Sequence, residues 1–148
     1  MNSAIDARIH QIARVLENNE NLPVSITLKD GLLGQSLFYV YYYQYTRDKK
    51  YLDKITAFLE KTFDCLTGNQ LEEFDPVDLV DLGRYLLFLK EKSLLEEDAV
   101  RSCMEEIEPY IYEVFTREME KQNLETVLGV IGIGHYFAEG MDLKDYST

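Results

Sequence analysis

The sequence has no tryptophan and little cysteine, proline or histidine, and each scarcity removes a class of protein. Its two cysteines, Cys65 and Cys103, stand far apart and form neither a disulfide framework nor a CxxC pair. Each falls inside a helical apolar pattern, where a thiol serves as a small core hydrophobe, so a reducing, cytoplasmic setting is expected. No stretch approaches 18 uncharged apolar residues, which excludes a membrane-spanning helix. The first twenty residues include Asp6, Arg8, Arg14, Glu17 and Glu20, unlike the uncharged core of a signal peptide. Basic clusters are missing as well, Lys49-Lys50 being the densest point on a chain of net charge −12. Such a surface repels nucleic acid and anionic lipid and attracts a cationic peptide or protein, although keeping the chain in solution is the simpler account of the charge. Nucleophile elbows, phosphate-binding loops, dinucleotide fingerprints and metalloprotease motifs are all lacking.

What is present is helical periodicity in an ordinary globular composition, 46% hydrophobic and 28% charged. A chain of 148 residues buries roughly 68–70% of its unfolded surface, enough for one sound core. Six helices are predicted. The first, Ser3 to Asn18, carries the stripe Ile5, Ile9, Ile12 and Leu16. The second, Leu32 to Thr46, contains the run Leu37-Phe38-Tyr39-Val40-Tyr41-Tyr42-Tyr43, apolar or aromatic all round and so expected to be buried all round. The third follows Arg47-Asp48-Lys49, with Leu52, Ile55, Leu59, Phe63 and Leu66 on one face, and stops at Thr67-Gly68-Asn69. The fourth opens on an Asp75 cap and Pro76. The fifth starts near Glu96 with Val100, Cys103, Ile107, Ile111 and Val114 inward, and Pro109 either kinks it or splits it. The sixth runs from about Glu125 to Ala138.

Amphipathic and fully apolar helices therefore alternate, as outer and inner layers would. Gly34, Gly83 and Gly132 recur at 49-residue intervals, each early in an inner helix. A second glycine, Gly31 and Gly129, recurs in two copies where the third has Val80. Glycine costs about 1 kcal/mol against alanine inside a helix, so its recurrence at fixed phase marks close helix approach. The period exceeds the ~34 residues of tetratricopeptide repeats and the ~40–47 of HEAT and armadillo repeats. The expectation is a single all-α domain over residues 1–148, an α/α toroid-like array of three hairpins (about 1–46, 50–90 and 95–140), half of a ring.

Asp30-Gly31-Leu32-Leu33-Gly34-Gln35-Ser36-Leu37-Phe38, followed by Tyr45-Thr46-Arg47-Asp48-Lys49-Lys50-Tyr51-Leu52, resembles an N-terminal hairpin of lanthionine synthetase C-like proteins. Gly129-Val130-Ile131-Gly132-Ile133-Gly134-His135-Tyr136-Phe137 is similar to that family's glycine-rich inner-helix motif. The resemblance covers roughly residues 25–60 and 125–139. It implies an α/α toroid whose cyclase members hold zinc through two cysteines and a histidine, one cysteine directly preceding that histidine. No Cys-His dipeptide occurs here, and Cys65 and Cys103 match neither ligand position, so no metal ligand, cofactor or catalytic residue carries over.

The expected function is accordingly a catalytically incomplete scaffold that binds a peptide or protein partner and is not active on its own. The alternatives are the N-terminal part of a zinc-dependent peptide cyclase and a carbohydrate-active toroid. His135, after Gly134 on an inner helix, is a ligand-binding candidate, although a packed, hydrogen-bonded role is the simpler one. Asp78 and Asp81, three apart on the fourth helix, could form a carboxylate pair as in glycosidases. Acids in a first turn also complement the helix dipole, the preferred account of both. Half a ring leaves Val127, Val130, Ile131, Tyr136 and Phe137 of the last helix uncovered. A homodimer, a missing C-terminal half, or residues 141–146 folding back would cover them. Ligand, pathway and the completeness of the chain stay open at this level.

Overall fold

The computed structural model describes residues 3–18, 26–29, 31–68, 76–126 and 129–140, all but the short connections in α-helix, with no strand among them. The helices are α1 (Ser3–Asn18), α2 (Leu32–Thr46), α3 (Lys50–Gly68), α4 (Pro76–Glu91), α5 (Glu97–Glu120) and α6 (Val130–Gly140). The chain is an all-α array of helical hairpins in two compact units, Met1–Gly68 and Asn69–Thr148. The predicted Asp75 cap, like Asp30, lies outside the described residues, as do the side chain of Cys65 and both Val127 and Leu128.

In the first unit the tightest pair is α2 against α3. They are joined by Arg47, in the left-handed region at φ 60°, and by Asp48, whose Oδ1 accepts the Lys50 N–H at 3.1 Å and so caps α3. The core between them is aromatic. Tyr39 stacks on Tyr51 and Phe58 with centroids 5.6 and 5.7 Å apart, and Tyr42 stacks on Phe38 and meets Tyr51 edge-on at 4.7 Å. The seam of α3 is Tyr51, Ile55, Thr62 and Leu66. It admits Thr62 because that hydroxyl donates to the Phe58 carbonyl at 2.7 Å and arrives without an unmet polar group.

Two expectations are met only in part in this unit. The Tyr run of α2 is not buried all round, since Tyr41 is 55% and Tyr45 39% exposed. A tyrosine can project outward because its hydroxyl is at home in water, and the Tyr45 hydroxyl donates to Asp6 at 2.7 Å. The apolar stripe of α1 is covered only in part: Ile9 and Leu16 are half-buried, Ile5 and Ile12 are exposed, and only Ala13 is fully buried. The face turned to α2 and α3 carries Asp6, His10, Ala13 and Glu17, because Tyr45, Tyr42 and Lys50 offer it hydrogen bonds and an ion pair.

In the second unit α4 packs on α5, and α6 lies against both. α5 is one continuous helix with Pro109 inside it, so it is not split there. Pro109 and Glu105 are both exposed, which leaves the carbonyl that loses its partner open to water. The buried stripe of α5 is Val100, Met104, Ile107 and Ile111, at helical spacings of four, three and four. Cys103 and Val114, expected inside, are half-buried. α6 begins five residues later than the sequence suggested and buries Gly132, Ile133, Tyr136 and Gly140. Tyr136, counted among its uncovered residues, is fully buried, while Ile131 is 52% exposed.

The repeat is visible in the hydrogen bonds at two helix starts. Gly31 N–H donates to Thr27 O and Gly31 O accepts from Gln35 N–H, at 3.1 and 3.3 Å. Gly129 N–H donates to Glu125 O and Gly129 O accepts from Ile133 N–H, at 3.2 and 3.1 Å, the same turn two periods on. α4, with Val80 at this phase, instead begins at Pro76 and passes straight through.

Candidate functional site

On α4, Arg84 faces α6 and follows Asp81 by one turn. Arg84 Nη2 donates to the Gly132 carbonyl at 3.2 Å, and its Nε stands 3.7 Å from Glu139 Oε2. Glu139 Oε1 is in turn 3.2 Å from Nδ1 of His135, one helical turn back on α6. A chain of charged groups, Asp81, Arg84, Glu139 and His135, thus crosses from α4 to α6 within the second unit. Burial pushes the Asp81 carboxyl above the usual range, and the Arg84 guanidinium opposes that rise in part. His135 is exposed and its imidazole is oriented through Nδ1 by Glu139, which leaves Nε2 open to solvent.

Between α5 and α6 stands an aromatic group. Tyr112 and Phe115 of α5 and Phe137 of α6 sit with centroids 5.9 to 6.4 Å apart, and Tyr112 is 62% exposed. Gly134 lies under Phe115, where an added Cβ would stand 3.7 Å from the ring. The open face of α6 therefore reads Ile131, Gly134, His135 and Ala138, small or apolar except for the one imidazole.

Of the residues singled out in the sequence, His135 and Asp81 are brought into one charged chain, and Asp78 is half-buried on α4, one turn before Asp81. The glycines serve close approach. Gly34 abuts the Leu28 carbonyl, Gly83 the Tyr136 ring, and Gly129 the backbone of Asn123 and Glu125. The residues that link the site, Arg84 and Glu139, and the aromatics Tyr112 and Phe115, were not singled out. The α4 arginine at an otherwise apolar inner-helix face was the available signal for the first.

The donor set does not suit zinc. A catalytic site needs three protein ligands and an open position. No group of three His, Cys, Asp or Glu side chains that could hold a metal forms among the described residues. His135 is paired with one carboxylate only, and Cys103 is free and half-buried, its thiol pushed up by burial and by Glu106.

A family model for lanthionine synthetase C-like protein matches residues 22–139. No curated protein and no solved structure matches the chain.

Proposed function

The chain belongs to the lanthionine synthetase C-like family, and we propose that this stretch of it recognises a peptide rather than carrying out zinc chemistry. The carrying observation is the open α5–α6 face, where the exposed Tyr112 ring, supported by Phe115 and Phe137, lies on the same pair of helices as the oriented His135–Glu139 pair. An aromatic anchor over a packed apolar base with a polar group nearby is the usual form of an interface hot spot. The peptide this face suits has an apolar side chain to lie on Tyr112 and Ile131 and a cationic one to meet the carboxylates. Glu113 adjoins Tyr112 in sequence, Glu139 is bound to His135, and the chain as a whole carries −12. Long-range attraction speeds encounter, and apolar contact sets the residence time.

The reading is tested with a fluorescently labelled peptide of alternating Lys and Leu, followed by anisotropy. Tyr112→Ala should weaken binding about tenfold, a loss of about 1.4 kcal/mol. Raising the salt concentration should lower the association rate. Equal binding of an acidic peptide, or full affinity in Tyr112→Ala, would overturn it.

A further inference from the structure

A second site lies in the first unit, built by α1, which precedes the residues matched by the family model, against α2 and α3. It is a polar cleft of about 540 Å³ whose walls include Arg14, His10 and Glu17 of α1, Tyr42 of α2, and Lys50 and Tyr51 of α3. Tyr42 and Tyr51 are 6% and 4% exposed, so two hydroxyls are placed at the base of the cleft by rings that cannot swing away. His10 Nδ1 hydrogen-bonds the Tyr42 hydroxyl, and Tyr42 and Tyr51 are hydrogen-bonded to each other. Lys50 donates to Tyr51 and lies 3.3 Å from Glu17 Oε1.

Counting protons shows what the cleft has in surplus. The Tyr42 hydroxyl has one proton for two neighbours. If it donates to Tyr51, the Nδ1–H of His10 donates to it, and the Tyr51 proton is left free to point into the cleft. Arg14 adds five N–H donors, and among the described residues it makes no ion pair or hydrogen bond. Glu17 is the only carboxylate on the cleft wall, and Lys50 already engages it. On a chain of net charge −12 the cleft wall carries two cationic side chains, Arg14 and Lys50, against one carboxylate, Glu17, with Asp48 3.9 Å from Lys50 outside the wall.

We propose that the cleft between α1 and the α2–α3 pair binds a small oxyanion, a carboxylate or phosphate group, held by Arg14 and Lys50 and hydrogen-bonded by Tyr51, with the His10 ring beside it. A planar guanidinium fork on one wall and an ammonium on the other match two oxygens of such a group. The anion would also fasten α1, whose only buried residue is Ala13 and whose attachment otherwise rests on polar contacts of Asp6, His10 and Glu17. A ligand bound only by the assembled cleft stabilises that assembly in proportion to its occupancy.

The experiment titrates the full chain with sodium acetate and, separately, with inorganic phosphate, at constant ionic strength made up with chloride. The readouts are the His10 ring resonances and the unfolding temperature. Saturable shifts at His10 and a rising unfolding temperature are expected with at least one probe. Phosphate alone identifies a phosphate group, acetate alone a carboxylate, and both a general oxyanion site. Arg14→Gln and Lys50→Gln should each weaken binding at least tenfold, whereas Lys92→Gln, which removes a positive charge in the second unit, should not. Circular dichroism of each variant separates lost binding from lost folding. The proposal is overturned if neither probe gives a saturable His10 shift, or if Arg14→Gln, folded, binds as well as the parent chain.

Discussion

The Tyr136 ring lies directly against the α-carbon of Gly83, so that a Cβ added at position 83 would overlap the ring and stand 2.6 Å from its hydroxyl. Tyr136 is fully buried and cannot move aside. The repeated inner-helix glycine is thus explained in this copy by one contact, from α4 to α6, that no larger residue permits.

Gly83→Ala should therefore destabilise the protein although alanine is the better helix former. Overpacking a core costs about 1–3 kcal/mol, against a propensity gain of about 1 kcal/mol. Gly134→Ala should have the opposite sign. Its Cβ would meet Phe115 at an ordinary 3.7 Å and keep the helix gain of up to about 1 kcal/mol. Urea unfolding of the two variants side by side checks the pair, and equal signs would refute the close-approach account.

The Tyr136 hydroxyl is buried without a hydrogen-bond partner among the described residues. Leaving such a group unsatisfied costs about 1–3 kcal/mol, so Tyr136→Phe should be neutral or raise the unfolding temperature. A fall of several degrees would show that the hydroxyl has a partner, which a buried water would supply.

How much of this was legible in the sequence differs from element to element. Five of the six helices start where caps, turns and periodicity placed them, because those signals are local. α6 starts late because Gly129 is held in a turn with Glu125, a backbone arrangement that apolar periodicity does not report. The shallow burial of α1 was illegible for another reason. An apolar stripe is fully buried only where an apolar surface faces all of it, and here Leu16 shares a hollow with Leu32, Tyr39 and Phe58 while Tyr42, Tyr45 and Lys50 engage polar residues of α1. His10 lies on an outer helix, where no apolar pattern marks it, yet it lines the polar cleft beside Tyr42. In the second unit Arg84 and Glu139 stand 55 residues apart, and their pairing exists only once α4 and α6 meet.

Besides Arg47 after α2, two further helix ends are built on residues in a left-handed conformation that are not glycine. After α4, Ser93 has φ 55°, with Leu94 N–H donating to Leu89 O and Ser93 N–H to Lys90 O. After α5, Gln122 has φ 55°, with Asn123 N–H donating to Glu118 O and Gln122 N–H to Met119 O. Both follow the hydrogen-bonding scheme that glycine usually completes. Ser93→Gly and Gln122→Gly should each stabilise by about 0.5–1 kcal/mol, the relief of a Cβ clash worth about 1–2 kcal/mol less the entropy of a freer unfolded chain. Thermal unfolding of the double variant should show the two gains adding, since the two turns share no partner.

The last prediction sets two carboxylates of the second unit against each other. Glu118 accepts hydrogen bonds from Asn123 Nδ2 at 2.8 Å and Lys121 Nζ at 2.9 Å, and these hold its carboxyl below the usual range. A folded-state pKa below the unfolded one contributes stability above the unfolded value and loses it as pH falls through the folded value. Asp81 is the reverse case. Burial raises its carboxyl, so the folded state binds the proton more tightly, and stability declines as pH rises through the Asp81 pKa. Glu118→Gln should accordingly lower the unfolding temperature at pH 7 and change it little at pH 3. Asp81→Asn should raise it at pH 7 and change it little at pH 3. If Asp81→Asn instead lowers stability at pH 7, the attraction of Arg84 outweighs the burial of the carboxylate. The Asp81–Arg84–Glu139–His135 chain would then be held together by its charges rather than held in spite of them.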